Sequence, residues 1–301
     1  MRALVVSNMR PDSANPARGV FVRDQVAALR RLDGLEVDLV EGLPGGAGYA
    51  RLGRELAGRR GYDIVHAHFG LTGWPALAVR GARRAITLHG TDVRHPRSGR
   101  LTRAVLPRYD LVAAASEQLA AELGRPGVRV LPCGVSLERF RPIPRGEARE
   151  RLGLRPRQPL LLLPADPDRP VKRADRAREL AAETGVRLAT LGATDPDQVP
   201  LWVNAATAVL IPSDAEGFGL AALEALACDV PVLATPVGNH PAALEGVAGA
   251  LCAEWDLHAW AAHLRELLDE ADPRVAGRDR AARWGADAMA QRVAAAWREI
   301  A

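Results

Sequence analysis

Short apolar runs alternate with amphipathic segments over nearly the whole chain. "RALVVS" (2–7), "EVDLVE" (36–41), "DIVHAH" (63–68), "AITLHG" (85–90), "DLVAAA" (110–115) and "GVRVLP" (127–132) have the length and composition of buried strands. Between them, segments such as "FVRDQVAALRRL" (21–32) and "SEQLAAELG" (116–124) place their apolar residues at helical period. Ser116 predicts an N-cap and Gly124 the stop of the second helix. An Arg- and Pro-rich stretch (139–159) then reads as a linker. The alternation restarts with strands at "PLLLLPA" (159–165), "VRLATLG" (186–192), "TAVLIP" (207–212), "VPVLAT" (230–235) and "GALCAE" (249–254). Helices are expected at 173–184 and 218–228, and the tail from Asp256 to Ala301 is helical in pattern almost throughout. Strands alternating with helices predict parallel sheets covered on both faces. The chain therefore reads as α/β, with two Rossmann-like doubly wound domains at 1–143 and 144–286. A closing helix at 287–301 could pack back on the first of them.

Composition narrows the picture in three ways. A length of 301 residues with 48% hydrophobic and 25% charged content suits two folded domains and excludes a disordered chain. The three cysteines, Cys133, Cys228 and Cys252, are odd in number and show no metal spacing, as in a reducing compartment. The beginning "MRALVVSNMRPDSANP" has no long apolar core of a signal peptide, and no apolar run approaches about 18 residues. A cytoplasmic protein is expected, either free or peripheral at the inner face of the membrane. With a net charge of +4 and no helix-turn-helix or zinc signature, nucleic acid is not an expected partner.

One residue stands out against the rest of the 40 cations: Lys172 is the only lysine. Either it survives by chance or its compact point charge fits a place that an arginine fork does not. In open parallel sheets, ligands bind at the carboxyl ends of the strands. His89 and Asp92, Lys172 and Glu216 all follow predicted strands at that end, so two facing domains would set them around a central cleft.

The stretch "DAEGFGLAALEALACDVPVLATPVG" (214–238) carries Glu216 before a Gly-Phe-Gly turn and Glu224 alone among apolar neighbours. The turn opens a predicted helix whose bare N–H groups suit a phosphate. Glu224, further along that helix, is within reach of a ribose diol attached to the phosphate, whose two O–H donors match the two oxygens of a carboxylate.

The longer stretch "NAATAVLIPSDAEGFGLAALEALACDVPVLATPVG" (204–238) resembles the donor-site signature of family 4 retaining glycosyltransferases, which have the GT-B fold. Similarity extends to "GVFVRDQVAAL" (19–29), "VHAHFG" (65–70), "LHGTD" (88–92), "CGVSLERFRP" (133–142) and "VKR" (171–173), colinear over nearly the whole chain. The resemblance implies metal-independent, retaining transfer of a sugar from a nucleoside diphosphate sugar, which is a substrate, so no cofactor is expected. It implies that Glu224 holds the donor ribose and Glu216 the donor sugar, while Lys172 neutralises the diphosphate. His89 would approach the anomeric carbon, and Gly19 would admit the diphosphate close to the backbone. His89, Glu216 and Lys172 are thus the catalytic candidates. Gly19, Arg169, Lys172, Glu216, Gly217, Phe218, Gly219, Leu220 and Glu224 are the donor-binding set, and His68 and Asp92 are acceptor-side candidates.

Three positions depart from the family pattern. The arginine usual five residues before the lysine is Pro167, with Arg169 the nearest substitute. The "GG-x-PE" loop is "GNHPA" (238–242), ending in Ala242. The segment that helps frame the nucleotide base is shortened to "PDQVPLWV". The donor nucleotide therefore stays open among UDP, GDP and ADP. A non-catalytic nucleotide-sugar-binding partner and a nucleotide-sugar epimerase remain as alternative readings. Asp92 could orient His89, bind acceptor or cap a helix. His95, His240, His258 and His263 lack paired ligands at metal spacing and read as surface or core residues. The acceptor is unidentified, with a lipid-linked molecule or a cell-envelope polysaccharide precursor among the options. The segment "RHPRSGRLTRAVLPR" (94–108) suggests the first of these. It combines Arg94, Arg97, Arg100, Arg103 and Arg108 with an apolar stripe of Leu101, Val105 and Leu106, a pattern open to an anionic membrane or simply to solvent.

Overall fold

Every predicted apolar run becomes a strand in the computed structural model, which describes residues 1–13, 16–192 and 194–301. By contacts the chain divides into unit 1, Met1–Gly134 with Ala286–Ala301, and unit 2, Val135–Gly285.

Unit 1 holds β1 (Arg2–Ser7), β2 (Glu36–Glu41), β3 (Ile64–His68), β4 (Arg83–Leu88), β5 (Leu111–Ala114) and β6 (Arg129–Val130). They form one sheet in the order β2-β1-β3-β4-β5-β6, and its pairings are parallel. Successive side chains point to opposite faces of a strand, so β1 supplies two cores at once. Ala3 and Val5 face a layer containing Val22, Val26 and Leu29, whereas Leu4 and Val6 face one containing Leu52, Leu56 and Ile86. That two-sided burial is what a doubly wound sheet requires. The Glu117–Leu123 helix begins and ends as its caps predict: Ser116 Oγ accepts the Leu119 N–H, and Gly124 turns left-handed at φ 62°.

The C-terminal Ala286–Ile300 helix belongs to unit 1, where Met289, Val293 and Trp297 join the layer of Val22 and Leu29. Trp297 is wholly buried, and its indole N–H donates to His66 Nδ1 at 3.1 Å.

Unit 2 holds β7 (Leu160–Leu163), β8 (Arg187–Thr190), β9 (Ala208–Ile211), β10 (Val232–Ala234) and β11 (Leu251–Cys252), in the order β11-β10-β9-β7-β8. It begins earlier in the chain than the expected boundary at 144, because residues 135–143 are tied to it. The Val135 N–H donates to the Trp284 carbonyl at 2.9 Å. Asn204 accepts the Ile143 N–H at 2.8 Å and donates to the Arg141 carbonyl at 3.0 Å. The expected linker also contains a helix, Arg145–Arg151. Arg145 and Arg149 on it are buried, and their guanidiniums donate to the carbonyls of Ala206 and Ala205 just before β9. Among the described residues no helix is long and apolar enough to cross a membrane.

The interior of unit 1 holds neutral histidines. Burial, then the neighbouring His68 and His89, keeps His66 well below the usual histidine range, and burial alone pushes His68 down to about 3. An unfolded chain binds at these sites protons that the folded chain refuses. Their contribution to stability is therefore complete above about pH 6.5 and is lost as pH falls toward the folded values. The urea midpoint should drop between about pH 7.5 and about pH 5, and by less in His68→Asn, which removes one such group. A midpoint that stays level over that interval would contradict the burial argument.

Candidate functional site

In unit 2 the strand order reverses between β7 and β9, so the loops leaving these neighbours start toward opposite faces and open a crevice between them. The loop after β7 ends in a single 3-10 turn, Pro170–Lys172, before the Ala174–Thr184 helix. The loop after β9 carries Ser213 to Gly219 and then the Leu220–Ala227 helix. A backbone bond from Asp214 N–H to the Val171 carbonyl, 3.0 Å, joins the two loops.

Across this junction Lys172 and Glu216 meet. The ammonium donates to both carboxylate oxygens, at 2.7 and 2.9 Å, and the Ser213 hydroxyl adds a bond of 2.8 Å. Only 16% and 11% of the two side chains are exposed, so each charge depends on the other. Burial pushes the Glu216 carboxyl up, but the Lys172 charge and hydrogen bond, His240 and Ser213 outweigh it and hold it below the usual carboxylate range.

The Gly217–Gly219 turn sits beside this pair. Gly219 caps the Leu220–Ala227 helix in the left-handed region at φ 97°, and a Cβ there would lie 2.5 Å from His240 Nε2. No side chain larger than hydrogen fits, which leaves the helix N-terminus bare. Phe218 is buried and anchors the turn, its carbonyl accepting the Asn239 N–H at 2.7 Å. Gly217, Leu220, Ala221 and Glu224 are each partly exposed, whereas Ala222, Leu223, Ala225, Leu226 and Ala227 are buried. Leu220, Ala221 and Glu224, at spacings of three and four residues, share one helix face. Glu224 therefore lies on the open face in line with the turn, although its neighbours in sequence are apolar.

One donor-side expectation looks different in place. Arg169 is exposed on the loop before the 3-10 turn and does not join the Lys172–Glu216 cluster. His240, read from sequence as a surface or core residue, is a core one: it is wholly buried against Gly219, with Nδ1 bonded to the Thr235 carbonyl at 2.9 Å. Ser213 could have been found by the same strand-end rule that found Glu216; nothing local in "GNHPA" marks His240.

In unit 1 the order reverses between β1 and β3. Gly19, after β1, has φ 73°, and a Cβ there would collide with the Met9 carbonyl oxygen, so glycine is required by the loop itself. His68 ends β3, and His89 follows β4. Their rings meet edge to edge, with centroids 5.2 Å apart, planes within 19° and His68 Nδ1 bonded to His89 Nε2 at 3.0 Å, and Phe21 and Phe69 pack on His89 at 5.0 and 4.6 Å. Asp92 is a backbone clamp. Its carboxylate accepts the N–H groups of Gly70 at 2.9 Å, His89 at 3.0 Å and Gly90 at 2.8 Å. Burial nevertheless raises the Asp92 carboxyl above its usual value, against those bonds. Asp92 orients the His89 peptide, while His68 is the group that meets the His89 ring.

Comparison with known proteins bears on the family and the fold. Residues 5–139 match the family described as Glycosyltransferase Family 4, and residues 161–270 match Glycosyl transferases group 1. The D-inositol 3-phosphate glycosyltransferase of Nocardia farcinica is 30% identical over 82% of this chain and 66% of its own length. The enzyme of the same name from Thermobispora bispora is 30% identical over 79% of this chain and 71% of its own. The chain thus spans about two thirds of these relatives. Among solved structures, sucrose-phosphate synthase from Thermosynechococcus elongatus superposes with a TM-score of 0.76 at 20% identity, covering 99% of both chains. Anabaena HepE in complex with UDP-glucose gives 0.72 at 15%, covering 99% of this chain and 100% of its own. The chain belongs to glycosyltransferase family 4 and has the GT-B fold.

Proposed function

We propose that this chain transfers a sugar from a nucleoside diphosphate sugar to an acceptor, with retention of anomeric configuration and without a metal ion. The Lys172–Glu216 pair, set beside a bare helix N-terminus with Glu224 on the open face of the same helix, carries this reading. A diphosphate at the Gly217–Gly219 turn would meet backbone N–H groups and the positive end of the helix. Glu224 lies about 7 Å along the axis from Gly219, at the rise of an α-helix, which suits a ribose joined to that diphosphate. Lys172 commits two of its three ammonium protons to Glu216, leaving one for a phosphate oxygen. Leaving diphosphate gains negative charge in the transition state, so these fixed donors favour departure. Glu216, held ionised, is an acceptor for hydroxyls of the donor sugar.

Anabaena HepE was solved with UDP-glucose, and the relatives in sequence are named for D-inositol 3-phosphate. A UDP-sugar and D-inositol 3-phosphate are therefore the first donor and acceptor to assay, with GDP- and ADP-sugars alongside. Transfer or hydrolysis supports the proposal. Formation of an epimer, or binding without turnover, would replace it with one of the two alternative readings.

A membrane-facing acceptor side has its own observation. Leu101 and Trp74 are 51% and 39% exposed, and they adjoin through the Trp74 indole N–H to the Leu101 carbonyl. Arg97, Arg100 and Arg108 are exposed around them. Val105 and Leu106 are buried in the core, because the Pro96–Val105 helix turns that side inward, so the expected stripe reduces to Leu101 with Trp74 as its neighbour. We read this as a weak interfacial patch for anionic lipid.

Four outcomes are expected. Glu224→Ala should weaken nucleotide binding by about 1.5–3 kcal/mol, read by titration, and Lys172→Met should lose far more turnover than Lys172→Arg. Wild-type affinity in the first, or equal turnover in the second pair, would remove those assignments. The product should keep the anomeric configuration of the donor, and a chelator should leave the rate unchanged; an inverted product would place the mechanism in another class. Finally, the chain should co-sediment with anionic but not neutral vesicles, and Arg97→Glu/Arg100→Glu should abolish this. Indifference to lipid charge would favour a soluble acceptor.

A further inference from the structure

The rings around His89 carry more information than their positions. His66 Nδ1 receives the Trp297 indole N–H, and an indole can only donate. His66 therefore holds its own proton on Nε2, which donates to Thr87 Oγ1 at 2.8 Å. His68 stacks on His66 at 4.7 Å, with an angle of 25° between the planes. On its other edge the Gln25 side-chain Nε2 lies 3.3 Å from His68 Nε2. An amide nitrogen donates and does not accept, so His68 Nε2 must present its lone pair. A neutral imidazole with a free Nε2 carries its proton on Nδ1, and His68 Nδ1 faces His89 Nε2 at 3.0 Å. The His89 lone pair is consumed there, and its proton is left on Nδ1.

We propose that Gln25, His68 and His89 form a one-way hydrogen-bond chain that locks His89 as its neutral Nδ1–H tautomer. His89 then meets a ligand as a hydrogen-bond donor and not as a base. Gln25 and His68 are positioning residues: they act through the His89 ring. Burial of all three histidines supports this, since an imidazolium in the stack would be desolvated and would face a second ring of the same kind. Phe21 and Phe69 hold the His89 ring plane, and Asp92 holds its peptide, so the Nδ1–H has one direction as well as one identity. The tautomer is a property of unit 1 alone. Only the turnover readout of the test below rests on the function proposed above.

The test begins with the chain labelled with ¹⁵N-histidine, in which two-bond correlations identify which ring nitrogen is protonated. His89 and His68 should appear as Nδ1–H and His66 as Nε2–H, unchanged down to about pH 6, below which histidines of ordinary pKa are mostly charged. In Gln25→Glu a carboxylate replaces the donating amide and must accept from His68 Nε2–H, so the chain reverses and both His68 and His89 switch to Nε2–H. His68→Asn keeps an amide N–H where His68 has Nδ1–H and should restore the His89 pattern that His68→Leu loses. With a productive nucleotide sugar, Gln25→Glu should lower turnover about tenfold, the worth of one hydrogen bond, while remaining folded. His89 found as Nε2–H or as imidazolium in the wild type overturns the lock. A switched tautomer with unchanged turnover overturns its role. The expected tautomers in a wild type that transfers no sugar would uphold the lock and count against the transferase reading instead.

Discussion

Parallel strands joined by right-handed crossovers can bring two loops apart at their carboxyl edge only where the strand order reverses. Each unit has one such place, between β1 and β3 and between β7 and β9. The chemistry follows from it. Lys172 reaches the second reversal from the β7 side and Glu216 from the β9 side, while Gly19 and His68 flank the first. The faces of the first sheet are covered by apolar layers, as the opposite-facing pairs Ala3/Val5 and Leu4/Val6 of β1 show, so the polar groups gather at the carboxyl edge and not on the faces.

The two reversals are furnished in different electrostatic ways. Unit 2 buries full charges, and it can do so because the ammonium of Lys172 spans both oxygens of Glu216 with Ser213 as a third contact. Removing one member would leave the other stranded at a cost of about 3–5 kcal/mol. Unit 1 buries three imidazoles that burial holds below the usual histidine range, beside an Asp92 carboxylate spent on backbone N–H groups; His66 bonds Thr87 and Trp297, and His68 bonds His89. An ion pair suits a site where negative charge arrives with a ligand. A neutral stack suits a site where a fixed N–H direction matters and a migrating proton would blur it.

How much of this the sequence carries depends on the range of the interaction. Strands and the Ser116 and Gly124 caps are local, and apolar period and turn chemistry place them well. The strand-end rule located Lys172, Glu216 and His89. It did not show that Lys172 and Glu216 bind each other, because their loops are neighbours only once the strand order is known. The stretch 139–159 reads as a linker because it is rich in arginine and proline, yet Arg145 and Arg149 are buried on carbonyls far along the chain. Glu224 stands alone among apolar neighbours in the sequence. The helix turns those neighbours inward and leaves the carboxylate on the open face, a distinction of phase that composition does not contain.

The use of arginine for every other cation gives the lone lysine its meaning. Arg278 shows what the fork does here: its Nη1 donates to the carbonyls of Phe140 and Ala227, each at 2.8 Å, and its Nη2 to that of Leu137 at 2.8 Å. Such acceptors diverge, and a planar guanidinium spans them. At Glu216 the acceptors converge, being two oxygens of one carboxylate that approach a single nitrogen. A guanidinium there would use its fork on the same two oxygens and hold its charge in their plane. An ammonium concentrates the charge at a point and keeps a proton directed away from the pair. The geometry at residue 172 thus asks for the one property that the other cations of this chain do not have, which favours chemistry over chance as the reason for its identity.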